Sequence, residues 1–146
     1  MAMLPTRVLI IDDEGDFVRA LEERLVLRNM AVNTALDGAS GLRELESHPN
    51  TDVVLLDVQM PGMGGIETLR QIRLLHPGVE VIMLTGHGTV ETAIEGMKLG
   101  AFDYLLKPYE METMLQKLET ARDRARQHQT KIIEATAKEL RGRQAR

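Results

Sequence analysis

Apolar and polar positions along this chain follow two alternating periods. Short aliphatic runs recur at residues 7–11, 31–35, 52–56, 79–84 and 102–106, and these read as five strands. Between them the apolar residues fall at helical spacing: Phe17, Leu21 and Leu25; Leu42 and Leu45; Ile66, Leu69 and Ile72; then Val90, Ala93, Ile94 and Met97. Each interval is long enough for one crossover helix. Strict alternation of strand and helix predicts an α/β fold, a doubly wound five-stranded parallel sheet with right-handed crossovers and helices on both faces. The unbroken apolar character of residues 8–11 and 53–56 fits strands covered on both sides. Turn-forming pairs at Asp37-Gly38, Pro49-Asn50 and Pro77-Gly78, with the loops 61–65 and 86–88, separate the elements. No internal repeat is visible.

The last segment, from residue 109 to about 140, predicts one long helix with Met111, Met114, Leu115, Leu118, Ala121 and Ala125 on a single face. Past Arg122 this stripe thins, and it resumes at Ile132, Ile133, Ala137 and Leu140. The distal part is expected to be either a solvated extension or half of a helix-to-helix dimer contact.

Length and composition agree with one domain: 146 residues with 43% hydrophobic content suit a single core. Cysteine is absent, which excludes disulfides and thiolate-ligated metals and favours a hard ion such as Mg2+ held by oxygen. The apolar run before Asp12 is too short for a signal peptide or a membrane span, so a cytoplasmic chain with no membrane contact is expected. The net charge of −4 is unevenly distributed. Residues 1–108 carry 9 Lys plus Arg against 16 Asp plus Glu, whereas residues 109–146 carry 9 against 6. In the basic tail the charges are interleaved with acids and Tyr109 is the sole aromatic, so a solvated helical face is expected and no direct nucleic-acid binding.

In an open parallel sheet, ligands bind outside the carboxyl ends of the strands. At those ends the sequence offers Asp12-Asp13-Glu14, Asp57, Thr85 and Lys107-Pro108. Acids from two neighbouring strands would repel each other in a shared cleft unless a cation compensated them, and a divalent ion is the economical answer. Asp57 follows four aliphatic residues, which buries its backbone and suits a nucleophile, although any one of these acids could equally cap a helix or open a turn. Lys107 interrupts an apolar strand and can reach back to neutralise either a carboxylate or a transferred phosphoryl oxygen. Thr85 offers a hydroxyl donor beside the permissive backbone of Gly86. A cis peptide before Pro108 is expected to aim Lys107 inward.

Four segments together resemble the receiver domain of two-component response regulators: Ile10-Ile11-Asp12-Asp13-Glu14; the run from Val54 through Asp57 and Gln59 to Gly65; Met83-Leu84-Thr85-Gly86; and the run from Gly100 through Tyr104 to Lys107-Pro108. The stretch from Thr85 to Ala93 is similar to receivers attached to sigma-54-dependent activators. The resemblance implies a flavodoxin-like strand order 2-1-3-4-5, a receiver domain over residues 1–126 and a helical C-terminal extension or linker over 127–146. It implies that Asp57 takes a phosphoryl group from a sensor histidine kinase or histidine phosphotransfer protein, with Lys107 and Thr85 assisting. Mg2+ would be held by Asp13, Asp57 and the carbonyl of Gln59, with Asp12 contributing through water. Thr85 and Tyr104 would act as the switch that alters the surface of helix 4, strand 5 and helix 5. Gln59 and His87 would tune the lifetime of the phosphate. A homodimer through that surface or through the C-terminal helix is also implied.

The expected function is a phosphoacceptor switch that modifies only itself and is not a turnover enzyme. It is either a stand-alone receiver or part of a longer transcriptional regulator, since the tail is too small for a DNA-binding or ATPase unit. The alternative is a metal-dependent phosphohydrolase using Asp57 as nucleophile, but such enzymes often want a second acid two residues on, where Gln59 stands. A dinucleotide-binding module is disfavoured because acids, not a glycine-rich turn, follow the first strand.

Overall fold

A computed structural model describes residues 4–60, 62–86 and 90–144. Strands and helices alternate without exception: β1 (Arg7–Ile11), α1 (Gly15–Val26), β2 (Ala31–Ala35), α2 (Gly38–Ser47), β3 (Val53–Asp57), α3 (Gly65–Leu75), β4 (Glu80–Thr85), α4 (Val90–Lys98), β5 (Asp103–Leu106) and α5 (Met111–Gln144). All pairings are parallel, in the order β2-β1-β3-β4-β5. The expected order and layering are therefore observed.

Period-two alternation along the strands divides the core. Val8, Ile10, Val53, Leu55, Ile82 and Leu84 point to one face, where Val18, Leu21 and Leu25 of α1 and Met114, Leu118 and Ala121 of α5 cover them. Leu9, Ile11, Val54, Leu56, Val81 and Met83 point to the other, beneath Leu45 of α2 and Leu69 and Ile72 of α3. β3 and β4 are buried along their whole length, as strands with both faces covered must be.

Three strands differ from the sequence expectation by one residue at one or both ends. β3 runs 53–57 and not 52–56, β4 runs 80–85 and not 79–84, and β5 begins at Asp103. The parallel register pairs Asp57 with Leu84 and Thr85 with Leu106, so Asp57 and Thr85 are the last residues of their strands. Both are held by the sheet.

A further difference concerns the basic tail, expected to present a solvated helical face. Part of it, residues 122–129, lies along the amino-terminal edge of the sheet, with some side chains still exposed. There Arg126 meets both oxygens of the buried Asp52 at 3.2 and 3.1 Å and also donates to the carbonyls of Leu4 and Pro5. Arg124 and His128 lie 3.7 and 4.0 Å from the buried Glu80, and Arg122 donates to Thr6. Gln129 donates to the Gly78 carbonyl. Buried carboxylates need cationic partners, and here the arginines of a helix supply them. The exposed stripe begins only at Ile132 and Ile133.

Candidate functional site

The carboxyl ends of β1, β3, β4 and β5 converge on one cleft. Asp12 is fully buried just past β1: its Oδ1 accepts the Glu14 amide at 2.9 Å and its Oδ2 accepts the Lys107 ammonium at 2.6 Å. Asp13 beside it is exposed. Asp57 is buried at the end of β3, its Oδ1 accepting the Gln59 amide at 3.1 Å. Oxygens of Asp12, Asp13 and Asp57 all lie within 4.8 Å of one another. Glu14 occupies the N-cap position of α1 but makes no side-chain cap bond. Its carboxylate lies 3.6 Å from Lys107 instead. Glu14 therefore does not cap α1 through its side chain, whereas Asp12 and Asp57 each accept an amide two residues on, the bond of a turn-opening acid, alongside their place in the cleft.

Burial is the main cause that raises the Asp57 carboxyl from 3.8 to about 6; the Gln59 amide and Lys107 pull against it, while the charges of Asp12 and Asp13 push with it. Burial also opposes the Lys107 ammonium, but its hydrogen bond to Asp12 and the charges of Asp12, Asp57 and Glu14 outweigh that and hold it above the usual lysine value. Three acids answered by one lysine leave the cleft short of positive charge. That donor set fits a hard divalent cation.

The other expected site residues converge as well. The Lys107 amide donates to the Thr85 carbonyl at 2.8 Å, and the Lys107-Pro108 peptide is cis, as expected. Thr85 Oγ1 is buried and has no hydrogen-bond partner among the described residues. Such a hydroxyl is costly to bury. Tyr104 is 42% exposed and borders a cavity of about 530 Å3, together with Thr85, Ala93, Ile94, Met97 and Leu106. Gln59 is exposed. His87 lies outside the described residues.

Two contributors were not legible as site residues. Phe17, counted in the apolar stripe of α1, sets its ring 4.1 Å from the Lys107 ammonium. Gly65 begins α3 so close beneath the end of β3 that a Cβ there would meet the Asp57 carbonyl oxygen and stand 2.5 Å from Val58 Cα. The sequence signal for Gly65 is only its place in a glycine-rich loop.

The sequence matches the response regulator receiver domain family over residues 8–119. The chain belongs to this family. Receiver domains generally bind Mg2+, and this chain carries an acidic trio. The chain is 38% identical over 109 residues to the regulatory protein AtoC of Escherichia coli, covering 74% of this chain and 23% of AtoC. It is 38% identical over 116 residues to the C4-dicarboxylate transport transcriptional regulatory protein DctD of Pseudomonas aeruginosa, covering 80% of this chain and 25% of DctD. The receiver thus spans about a quarter of each of these relatives. Among solved structures, a response regulator receiver domain protein from Clostridium thermocellum superposes with a TM-score of 0.79 at 36% identity, covering 83% of this chain and 97% of that one. The receiver domain of NtrX from Brucella abortus superposes with a TM-score of 0.75 at 30% identity, covering 80% and 98%. This is accordingly a receiver domain of two-component response regulators, homologous to the receivers of transcriptional activators. Among the described residues, no helix is long and apolar enough to cross a membrane.

Proposed function

We propose that Asp57 is the phosphoacceptor of this receiver and that Lys107 and Thr85 are its catalytic partners. The observation that carries the reading is the trio of carboxylates within 4.8 Å, with Lys107 bound to one of its members. In the transfer step an Asp57 oxygen attacks the phosphorus of a phosphohistidine, an O–P bond forms, the P–N bond breaks, and the electron pair leaves on the imidazole nitrogen. The Gln59 amide engages Asp57 Oδ1 only, which leaves Oδ2 without a hydrogen bond among the described residues. Asp12, Asp13, Asp57 and the Gln59 carbonyl would hold Mg2+. When bound, the ion supplies charge compensation for the transferring phosphoryl group. Lys107 supplies more of the same from β5, so the step depends on positioning and electrostatics.

The unpartnered Thr85 hydroxyl is the donor that a new phosphoryl oxygen would satisfy. As Thr85 turns toward the phosphate, Tyr104 rotates into the cavity beside it, changing the surface of α4, β5 and α5. Gln59, exposed at the rim, would tune phosphate lifetime, and the same role is proposed for His87.

The donor would be a sensor histidine kinase or phosphotransfer protein, and the receiver would modify only itself. Family membership supports a cytoplasmic site of action. The relatives support a place in a transcriptional regulator, of the sigma-54-dependent type on the sequence resemblance. Residues 1–126 would form the receiver, with residues 127–146 as its linker helix. The exposed Ile132, Ile133 and Leu140 would serve pairing with a second copy.

Incubation with Mg2+ and acetyl phosphate, followed by intact mass, tests the reading. Wild type should gain one phosphoryl mass, and Asp57→Asn none. An unlabelled wild type, or a labelled Asp57→Asn, would overturn it.

A further inference from the structure

Helical spacing groups Phe17 with Leu21 and Leu25, yet the three have different fates. Leu21 and Leu25 are fully buried in the core, whereas Phe17 is only half-buried at its margin, on the first turn of α1 beside the acidic cleft. Its ring covers the Lys107 ammonium, with the nitrogen 4.1 Å from the ring centroid. Tyr109, two residues past Lys107, meets the Phe17 ring edge-to-face at 88° with centroids 5.9 Å apart. Phe17 is therefore braced by the same loop that carries the lysine. Among the described residues the ammonium lies 2.6 Å from Asp12, 3.6 Å from Glu14 and against the ring. Only 12% of the lysine side chain is exposed, and a partly desolvated cation gains most from an aromatic face.

We propose that Phe17 is a positioning residue for phosphoryl uptake, holding the Lys107 ammonium over the acidic cleft through the negative face of its ring. The inference rests on the reading of Asp57 as phosphoacceptor. A lysine is a point charge on a flexible four-carbon stem. Without the ring, the ammonium is free to follow Glu14 toward the rim and into water. With the ring in place that arc is closed, and the charge already stands beside Asp12 and Asp57 when a phosphoryl group arrives. Charge ordered before the reaction needs no reorganisation during it.

The decisive experiment replaces Phe17 by phenylalanine carrying one, two or three ring fluorines, which drain the negative face while keeping ring shape and apolar area. Phosphoryl uptake at Asp57 from acetyl phosphate with Mg2+ is followed by intact mass. The rate should fall stepwise, to about three- to tenfold below wild type for the trifluoro ring, with every variant still folded by a cooperative thermal transition. Phe17→Tyr should stay near wild type and Phe17→Leu should be at least as slow as the trifluoro chain. A flat fluorine series overturns the inference whether or not Phe17→Leu is slow, because packing alone would then account for the leucine variant. If wild type itself takes no label, the phosphoacceptor reading has failed, an outcome plainly different from a labelled but flat series.

Discussion

The Lys107 ammonium lies 2.6 Å from Asp12 Oδ2 although 95 residues separate the two in sequence. Asp12 has no exposed surface, and its other oxygen is already engaged by the Glu14 amide. Lys107→Met should therefore leave a buried carboxylate without its cation and lower stability by on the order of 3 kcal/mol in urea unfolding without divalent cations. Adding Mg2+ should return part of this loss, since the ion would supply the missing positive charge. A variant as stable as wild type without Mg2+ would contradict this account of the pair.

Asp57 gives a pH signature. Its carboxyl is raised from 3.8 to about 6, so the folded state holds the proton more tightly than the unfolded chain. The resulting stabilisation is fully present below the unfolded value and is lost as pH rises through about 6. Above that, the ionised group is less favourable in the folded protein than in the unfolded chain. Without Mg2+, Asp57→Asn should be more stable than wild type at about pH 7.5, and the difference should shrink at about pH 4. Urea midpoints at the two pH values measure it; equal differences at both would count against the shift.

Thr85 presents a trade between stability and signalling. Its hydroxyl is buried without a partner among the described residues. Thr85→Val keeps the shape and removes the unsatisfied group, so stability should rise by about 1 kcal/mol. The response to phosphorylation should be lost, read as an unchanged Tyr104 ring signal by NMR on adding beryllium fluoride and Mg2+. A stability loss would mean that the hydroxyl has a bonding partner.

What the sequence revealed of the site came from places where apolar runs stop. Asp12, Asp57, Thr85 and Lys107 each end such a run, and a parallel sheet gathers all such ends at one edge, so their convergence was legible without coordinates. Phe17 was not, because helical periodicity identifies a face but not how far along it the core extends. The ties of α5 were hidden for a different reason. Asp52 and Arg126 are 74 residues apart, and a run of charges on a helix reads as solvated unless the acids waiting beneath it are known to be buried. The cavity beside Tyr104 is an absence of atoms, which no residue pattern encodes.

Gly65 and Gly64 form a matched pair. A Cβ at Gly65 would press on the Asp57 carbonyl oxygen and Val58 backbone, whereas at Gly64 it would meet nothing within 4 Å. Gly65→Ala should cost about 2 kcal/mol or more and slow phosphoryl uptake by displacing the end of β3. Gly64→Ala should fold and label like wild type. Thermal midpoints with the mass-labelling assay separate the two.

The ties to Asp52 and Glu80 also govern how motion would leave this domain. α5 is one unbroken helix from Met111 to Gln144, and among the described residues its last hydrogen bond to the sheet edge is Gln129 to Gly78. At about 1.5 Å per residue, the stretch past Gln129 overhangs by roughly 20 Å. A tilt of about ten degrees around the tied segment would carry the tip about 4 Å while hardly disturbing the strands beneath. By geometry alone, such an overhang would turn a small rotation of its tied segment into a larger displacement at its tip.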